Sequence, residues 1–111
     1  MSLMNKKCTP CQGGIPPLSR ESAESLLQEI PQWQLSENAD KISRQYRFGN
    51  FVKALEFVNE VGELAEREMH HPDIQFGWGY CTVIFYTHKI HGLHENDFIL
   101  AAKTESIYEH R

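Results

Sequence analysis

Apolar positions along this chain switch between helical and strand spacing, and the switches lay out its elements. Ala23, Leu26, Leu27 and Ile30 recur at helical spacing. Ser19 is a suitable N-cap, Glu21 and Glu24 put negative charge in the first turns, and Pro31 ends the helix. Trp33-Gln34-Leu35 alternates as a short strand, and Glu37-Asn38-Ala39-Asp40 supplies turn residues. Residues 41–48 read as a second strand, with Ile42, Tyr46 and Phe48 on one face and Ser43, Gln45 and Arg47 on the other. Arg44 shares the apolar parity, which points to an edge position or a specific salt bridge.

Asn50 is an N-cap for the longest helix, expected over residues 51–70. Phe51, Ala54, Leu55, Val58, Val61, Gly62, Ala65 and Met69 form a wide stripe along it, and Phe57 and Leu64 widen that stripe further. Gly62 costs a helix interior about 1 kcal/mol relative to alanine, which a close approach by another element would offset. Pro72 disfavours helical geometry at His71, so the chain leaves the helix there, with His70 in the last turn. Residues 73–76 read as a third strand, a reversal is expected at Gly77-Trp78-Gly79, and residues 80–88 as a fourth strand. That last strand is apolar on both faces, as a central or doubly covered strand is. Phe98, Ile99, Ala102, Ile107 and Tyr108 mark a final helix. The order α-β-β-α-β-β-α predicts an α+β fold, a four-stranded antiparallel sheet with helices packed on one face.

Composition narrows the function classes. The 111 residues suit one domain over 19–111, preceded by a flexible arm over 1–18 that carries Gly13-Gly14 and Pro16-Pro17. With 11 basic and 15 acidic side chains, the net charge is −4 and no basic cluster offers a nucleic-acid surface. No apolar run approaches a membrane span, and no secretory pattern is present, so the expectation is a cytoplasmic protein without membrane or nucleic-acid partners. Three cysteines argue against a disulfide framework. Cys8-Thr9-Pro10-Cys11 is an isolated C-x-x-C, read as two reduced thiols, and Cys81 as a small buried apolar residue.

The candidate chemistry is histidine. Six are present, and His70, His71 and His88 fall at the ends of neighbouring elements. Imidazole titrates near neutral pH, so a cluster of them suits proton transfer at one substrate. His88-x-x-His91-x-x-His94 invites a zinc reading, but its path from strand to helix gives no common face, and no metal site is expected.

Glu66-x-x-x-His70-His71-Pro72, Trp78, Thr87-His88, Gly92-Leu93 and Asp97 occur in this order. Upstream stand Trp33, Ile42-x-Arg44-x-Tyr46-x-Phe48 and Phe51-x-x-Ala54-x-x-Phe57. Together they resemble the pterin-4a-carbinolamine dehydratase family across residues 19–108. One departure is His94, where the family usually has serine or threonine at the cap of the last helix. The resemblance implies dehydration of a 4a-hydroxytetrahydropterin to the quinonoid dihydropterin, with no metal or redox cofactor, in the recycling that serves aromatic amino acid hydroxylases. It implies His70, His71 and His88 as the catalytic histidines: His71 as base, His88 as acid and His70 orienting the pterin. Glu66, Asp97, Trp33 and Trp78 are the expected substrate-binding residues: Glu66 also to fix the His70 tautomer or raise its pKa, Asp97 to support or bind substrate, and the tryptophans to pack near the pterin. It also implies a homo-oligomer, tetramer or dimer, built through sheet edges and the long helix. The alternative function is a protein-binding dimerisation cofactor of a transcription factor.

Overall fold

The computed structural model describes residues 3–10 and 13–111. Its regular elements are α1 (Arg20–Leu27), β1 (Gln34–Leu35), β2 (Ile42–Arg47), α2 (Phe51–Glu68), β3 (Asp73–Gly77), β4 (Tyr80–Phe85) and α3 (Glu95–Glu109). Short 3-10 turns stand at Leu3–Asn5 and His88–Ile90. All strand pairs are antiparallel, in the order β1-β2-β4-β3. β4 is therefore central, as its apolar character requires. The expected α+β architecture is the observed one.

Parity fixes which face is covered. In β4, Cys81, Val83 and Phe85 are fully buried while Tyr80, Thr82 and Ile84 are only partly so. In β2, Ile42 and Tyr46 join the buried side. Helix α2 packs on β3 and β4, α3 on β4 and α2, and α1 beside β1. The opposite face, carrying Ser43, Gln45 and Thr82, stays polar.

Local chemistry explains the boundaries. Ser19 Oγ accepts the Ser22 N–H at 3.1 Å and Asn50 Oδ1 accepts the Lys53 N–H at 2.9 Å, capping α1 and α2. Beyond Leu27 the chain tightens into successive turns, so α1 stops short of the expected Ile30, although Ile30 is buried as expected. The β3–β4 hairpin closes through Trp78-Gly79, where Gly79 takes φ +80°. Arg44 lies inside the sheet, and its guanidinium is held by both carboxylate oxygens of Glu105 on α3. Tyr46 Oη and Trp33 Nε1 donate to the same carboxylate at 2.7 and 2.8 Å. Burial, with that hydrogen bond, pushes the Tyr46 phenol far above its usual range.

Two expectations change on α2. Phe57 and Leu64, read as surplus, are core residues, while Phe51, Val52 and Leu55 are exposed. No atom lies close to where a Gly62 Cβ would stand, so among the described residues no element approaches there. The N-terminal segment also differs from a free arm. Leu3 is buried and packs with α3, and Lys6 Nζ pairs with Glu95 at 2.6 Å. Leu18 N–H donates to Leu93 O at 2.8 Å, and Pro17 sits so close to Gly92 that a Cβ there would stand 2.5 Å from the proline ring. Glycine at position 92 is thus the condition for docking this segment. Cys11 of the C-x-x-C lies outside the described residues.

Candidate active site

The end of α2 aims the first two histidines. The helix stops at Glu68, and Met69 turns left-handed at φ 54°, a conformation costing a side-chain-bearing residue about 1 kcal/mol. Its N–H and that of His70 close back on Ala65 O, as in a Schellman stop. His70 therefore lies beyond the helix, not in its last turn, and points inward. Its ring lies parallel to Phe85, 6.4 Å between centroids, and its Nε2 meets Asp97 Oδ1 at 2.6 Å.

Asp97 is wholly buried on the first turn of α3. A buried carboxylate is tolerable only when its oxygens are satisfied. Its Oδ2 accepts from Thr87 Oγ1 at 2.8 Å and from the His94 N–H at 3.0 Å. His94 completes a reciprocal cap, its Nδ1 accepting the Asn96 N–H at 3.0 Å. An imidazole thus fills the place of the usual hydroxyl, and the departure at position 94 leaves the helix start intact. With Asp97 accepting from every side, the His70 nitrogen facing it carries the proton, and Nδ1 is the ring nitrogen left uncommitted.

Glu66 does not serve His70. Its Oε2 meets His71 Nε2 at 2.5 Å, and this pair is open to solvent, with His71 54% and Glu66 75% exposed against 10% for His70. His88 begins a 3-10 turn after β4 instead of ending the strand, because Thr87 and Gly92 bridge and close the loop. Its ring rests on Tyr86, 4.1 Å between centroids, and Lys41 lies over Tyr86 at 5.1 Å.

His70, His71 and His88 line one cavity of about 230 Å³, together with Tyr86, Thr87, Met69, Lys89, Asn96 and Thr9. The three histidines singled out in the sequence are therefore brought together, with Asp97 behind His70 and Glu66 beside His71. The tryptophans are not. Trp33 is buried in the core, tilted on Phe85 at 5.7 Å, and does not line the cavity. Trp78 is 71% exposed at the hairpin turn, beyond the end of β3 that lies away from the histidines. Thr9 and Asn96 had no signal in the spacing of the sequence. They meet because the N-terminal segment folds over the start of α3: Asn96 Nδ2 donates to Thr9 O at 2.6 Å and the Thr9 N–H donates to Asn96 Oδ1 at 3.0 Å. The Cys8 N–H donates to Glu68 Oε1 at 2.9 Å, and this bond, helped by Lys103, holds the Glu68 carboxyl below the usual range. Burial, then the nearby Glu68, pushes the Cys8 thiol up to about 12, so it is a protonated thiol. His94 Nδ1 is used in the cap, and among the described residues no three His, Cys, Asp or Glu side chains converge as metal ligands.

Comparison with known proteins gives the family. The family model for pterin 4 alpha carbinolamine dehydratase matches residues 16–107. The chain belongs to the pterin-4a-carbinolamine dehydratase family. It is 61% identical over 106 residues to a Methylococcus capsulatus protein and 55% identical over 107 residues to one from Halorhodospira halophila. Each match covers 96% of this chain, with 93% and 98% of the respective relatives, and both are named "Putative pterin-4-alpha-carbinolamine dehydratase". Among solved structures it resembles a "transcriptional coactivator/pterin dehydratase" from Brucella melitensis, with TM-score 0.77 and 26% identity over 82% of this chain and 97% of that one. Cys8 and Thr9 precede the segment that the dehydratase family model covers, whereas Glu68 and Asn96, which hold them, lie inside it.

Proposed function

We propose that this chain dehydrates a 4a-hydroxytetrahydropterin to the quinonoid dihydropterin and water by imidazole acid–base catalysis. The observation that carries the reading is the opening of His70, backed by buried Asp97, and His88 on one cavity. The reaction breaks the C4a–O bond, its electron pair leaving with the hydroxyl, which takes a proton and departs as water. A ring nitrogen gives up a proton as its electrons form the new double bond. No electron is gained or lost overall, so one acid and one base account for the chemistry.

The geometry favours particular roles. Asp97 fixes the His70 tautomer and steadies the imidazolium formed when the ring accepts a proton, which suits His70 as base. His88, on an exposed turn and supported by Tyr86, suits the acid at the departing hydroxyl. His71, paired with Glu66 at the open rim, suits binding and orienting the pterin. This exchanges the parts expected from the sequence for His70 and His71. The setting we propose with it is a cytoplasmic homo-oligomer that recycles the tetrahydropterin of an aromatic amino acid hydroxylase, a reading supported by the family resemblance.

The test is turnover of 4a-hydroxytetrahydropterin generated in situ, read as release of the quinonoid product above the spontaneous rate. Acceleration that survives treatment with chelator is the expected result. No acceleration, or acceleration lost with a stoichiometric metal, rejects the proposal. A second reading, a protein-binding coactivator module, is favoured by the likeness to the Brucella melitensis protein, which is described as a coactivator as well as a dehydratase. A stable complex with a DNA-binding protein that persists when His70 and His88 are replaced would support it.

A further inference from the structure

We propose that the N-terminal segment around Thr9 is a strap that forms one wall of the histidine cavity and sets how tightly the pterin is held. This rests on the dehydratase reading. The strap is anchored at several independent points. Leu3 is inserted in the core, Lys6 pairs with Glu95, and the Cys8 N–H is held by Glu68. The decisive clasp is Asn96, whose side-chain amide is paired in both directions with the backbone of Thr9. Asn96 is only 2% exposed, so its amide is spent on the strap. A buried amide with both ends satisfied by one backbone residue holds that residue at a fixed place.

That place is a partition. Thr9, Met69 and Lys89 line the histidine cavity on one side and, on the other, a cavity of about 480 Å³ reached by Lys7, Arg67 and Glu68. Released from Asn96, the strap would leave the two spaces merged and the substrate with one wall fewer. The strap lies ahead of the segment that the family model matches, residues 16–107, and the histidines take their partners from elsewhere, His70 from Asp97 and His71 from Glu66. Its effect is therefore on binding and not on the chemical step. Thr9 and Asn96 are specificity-determining residues for the part of the pterin that lies away from the histidines.

The test uses the full chain and two variants that open the clasp from opposite sides. Asn96→Ala removes both hydrogen bonds, and Thr9→Pro removes the strap's donor while leaving α3 untouched. Each is expected to raise KM roughly tenfold with kcat and its pH profile unchanged, the signature of lost ground-state binding. Each is also expected to weaken binding of 7,8-dihydrobiopterin, a stable reduced pterin, by a similar factor, and to expose Lys6 and Lys7 to trypsin. Unchanged KM in variants whose strap trypsin cuts overturns the proposal, as does a fall in kcat alone, which would mean that the strap acts through Asp97. If the unaltered chain shows no turnover, the dehydratase reading fails and the strap's role with it. Normal turnover in the unaltered chain, with strap variants alike, removes the strap alone.

Discussion

Two histidines adjacent in the chain are treated in opposite ways by the fold, and that contrast yields a kinetic prediction. His70 is nearly enclosed and locked to a buried carboxylate, whereas the His71–Glu66 pair is exposed and belongs to a class worth about 0–1 kcal/mol. His70→Ala and His88→Ala are expected to lower kcat at least ~10²-fold, the low end of acid–base catalysis, while His71→Ala acts mainly on KM. Steady-state kinetics of the three variants decides this, and a kcat loss confined to His71→Ala would restore it as the base. The sequence showed which residue types would gather, because the His-His-Pro and Thr-His pattern is compact. It did not show their pairing. Counting one turn back from His70 pointed to Glu66, but the left-handed Met69 rotates the chain out of the helix and delivers His71 to Glu66 instead. Nothing in a helical repeat announces a left-handed methionine.

Between elements, Glu105 on α3 ties the helix to the sheet by accepting from Trp33 before β1 and from Arg44 and Tyr46 on β2. The misfit of Arg44 on the apolar face of its strand was legible and asked for a salt bridge; the partner, sixty-one positions away, was not. Removing one member of such a buried group leaves the others unsatisfied, so Glu105→Ala is expected to cost about 3–5 kcal/mol. Chemical denaturation measures it, and a loss below about 1 kcal/mol would mean that the site relaxes around water. The core of the sheet was legible for a simpler reason: period-two patterns declare a buried face, and the register followed, with Ile42 opposite Phe85 and Tyr46 opposite Cys81. The strap was not legible, since its hold depends on buried Leu3 and on isolated polar contacts to Glu95, Glu68 and Asn96, with no repeat to betray them.

At the scale of the molecule, α2 carries two apolar faces, and the described residues cover one. Ala54, Phe57, Val61, Leu64 and Ala65 meet the sheet and α3, while Phe51, Val52 and Leu55, 43, 59 and 37% exposed, face outward. The sequence showed the excess but assigned it to Phe57 and Leu64, because a stripe wider than half a helix does not say which edge of it is buried. An outward group of large apolar side chains on one helix face commonly marks an interface. Gly62 stands on the same helix with open space where its side chain would be, leaving room for a second backbone to approach. β3 is an edge strand of the sheet with a free side, a second surface through which copies can join. Two different contacts, each closed by its own two-fold axis, build a tetramer, so the expected mass by light scattering at micromolar concentration is four times 12.9 kDa. A mass of one chain refutes self-association, and a mass of two leaves only one of the surfaces in use. Leu55→Glu separates these cases: it should reduce the tetramer to a dimer if α2 forms one contact, and leave the mass unchanged if it forms none.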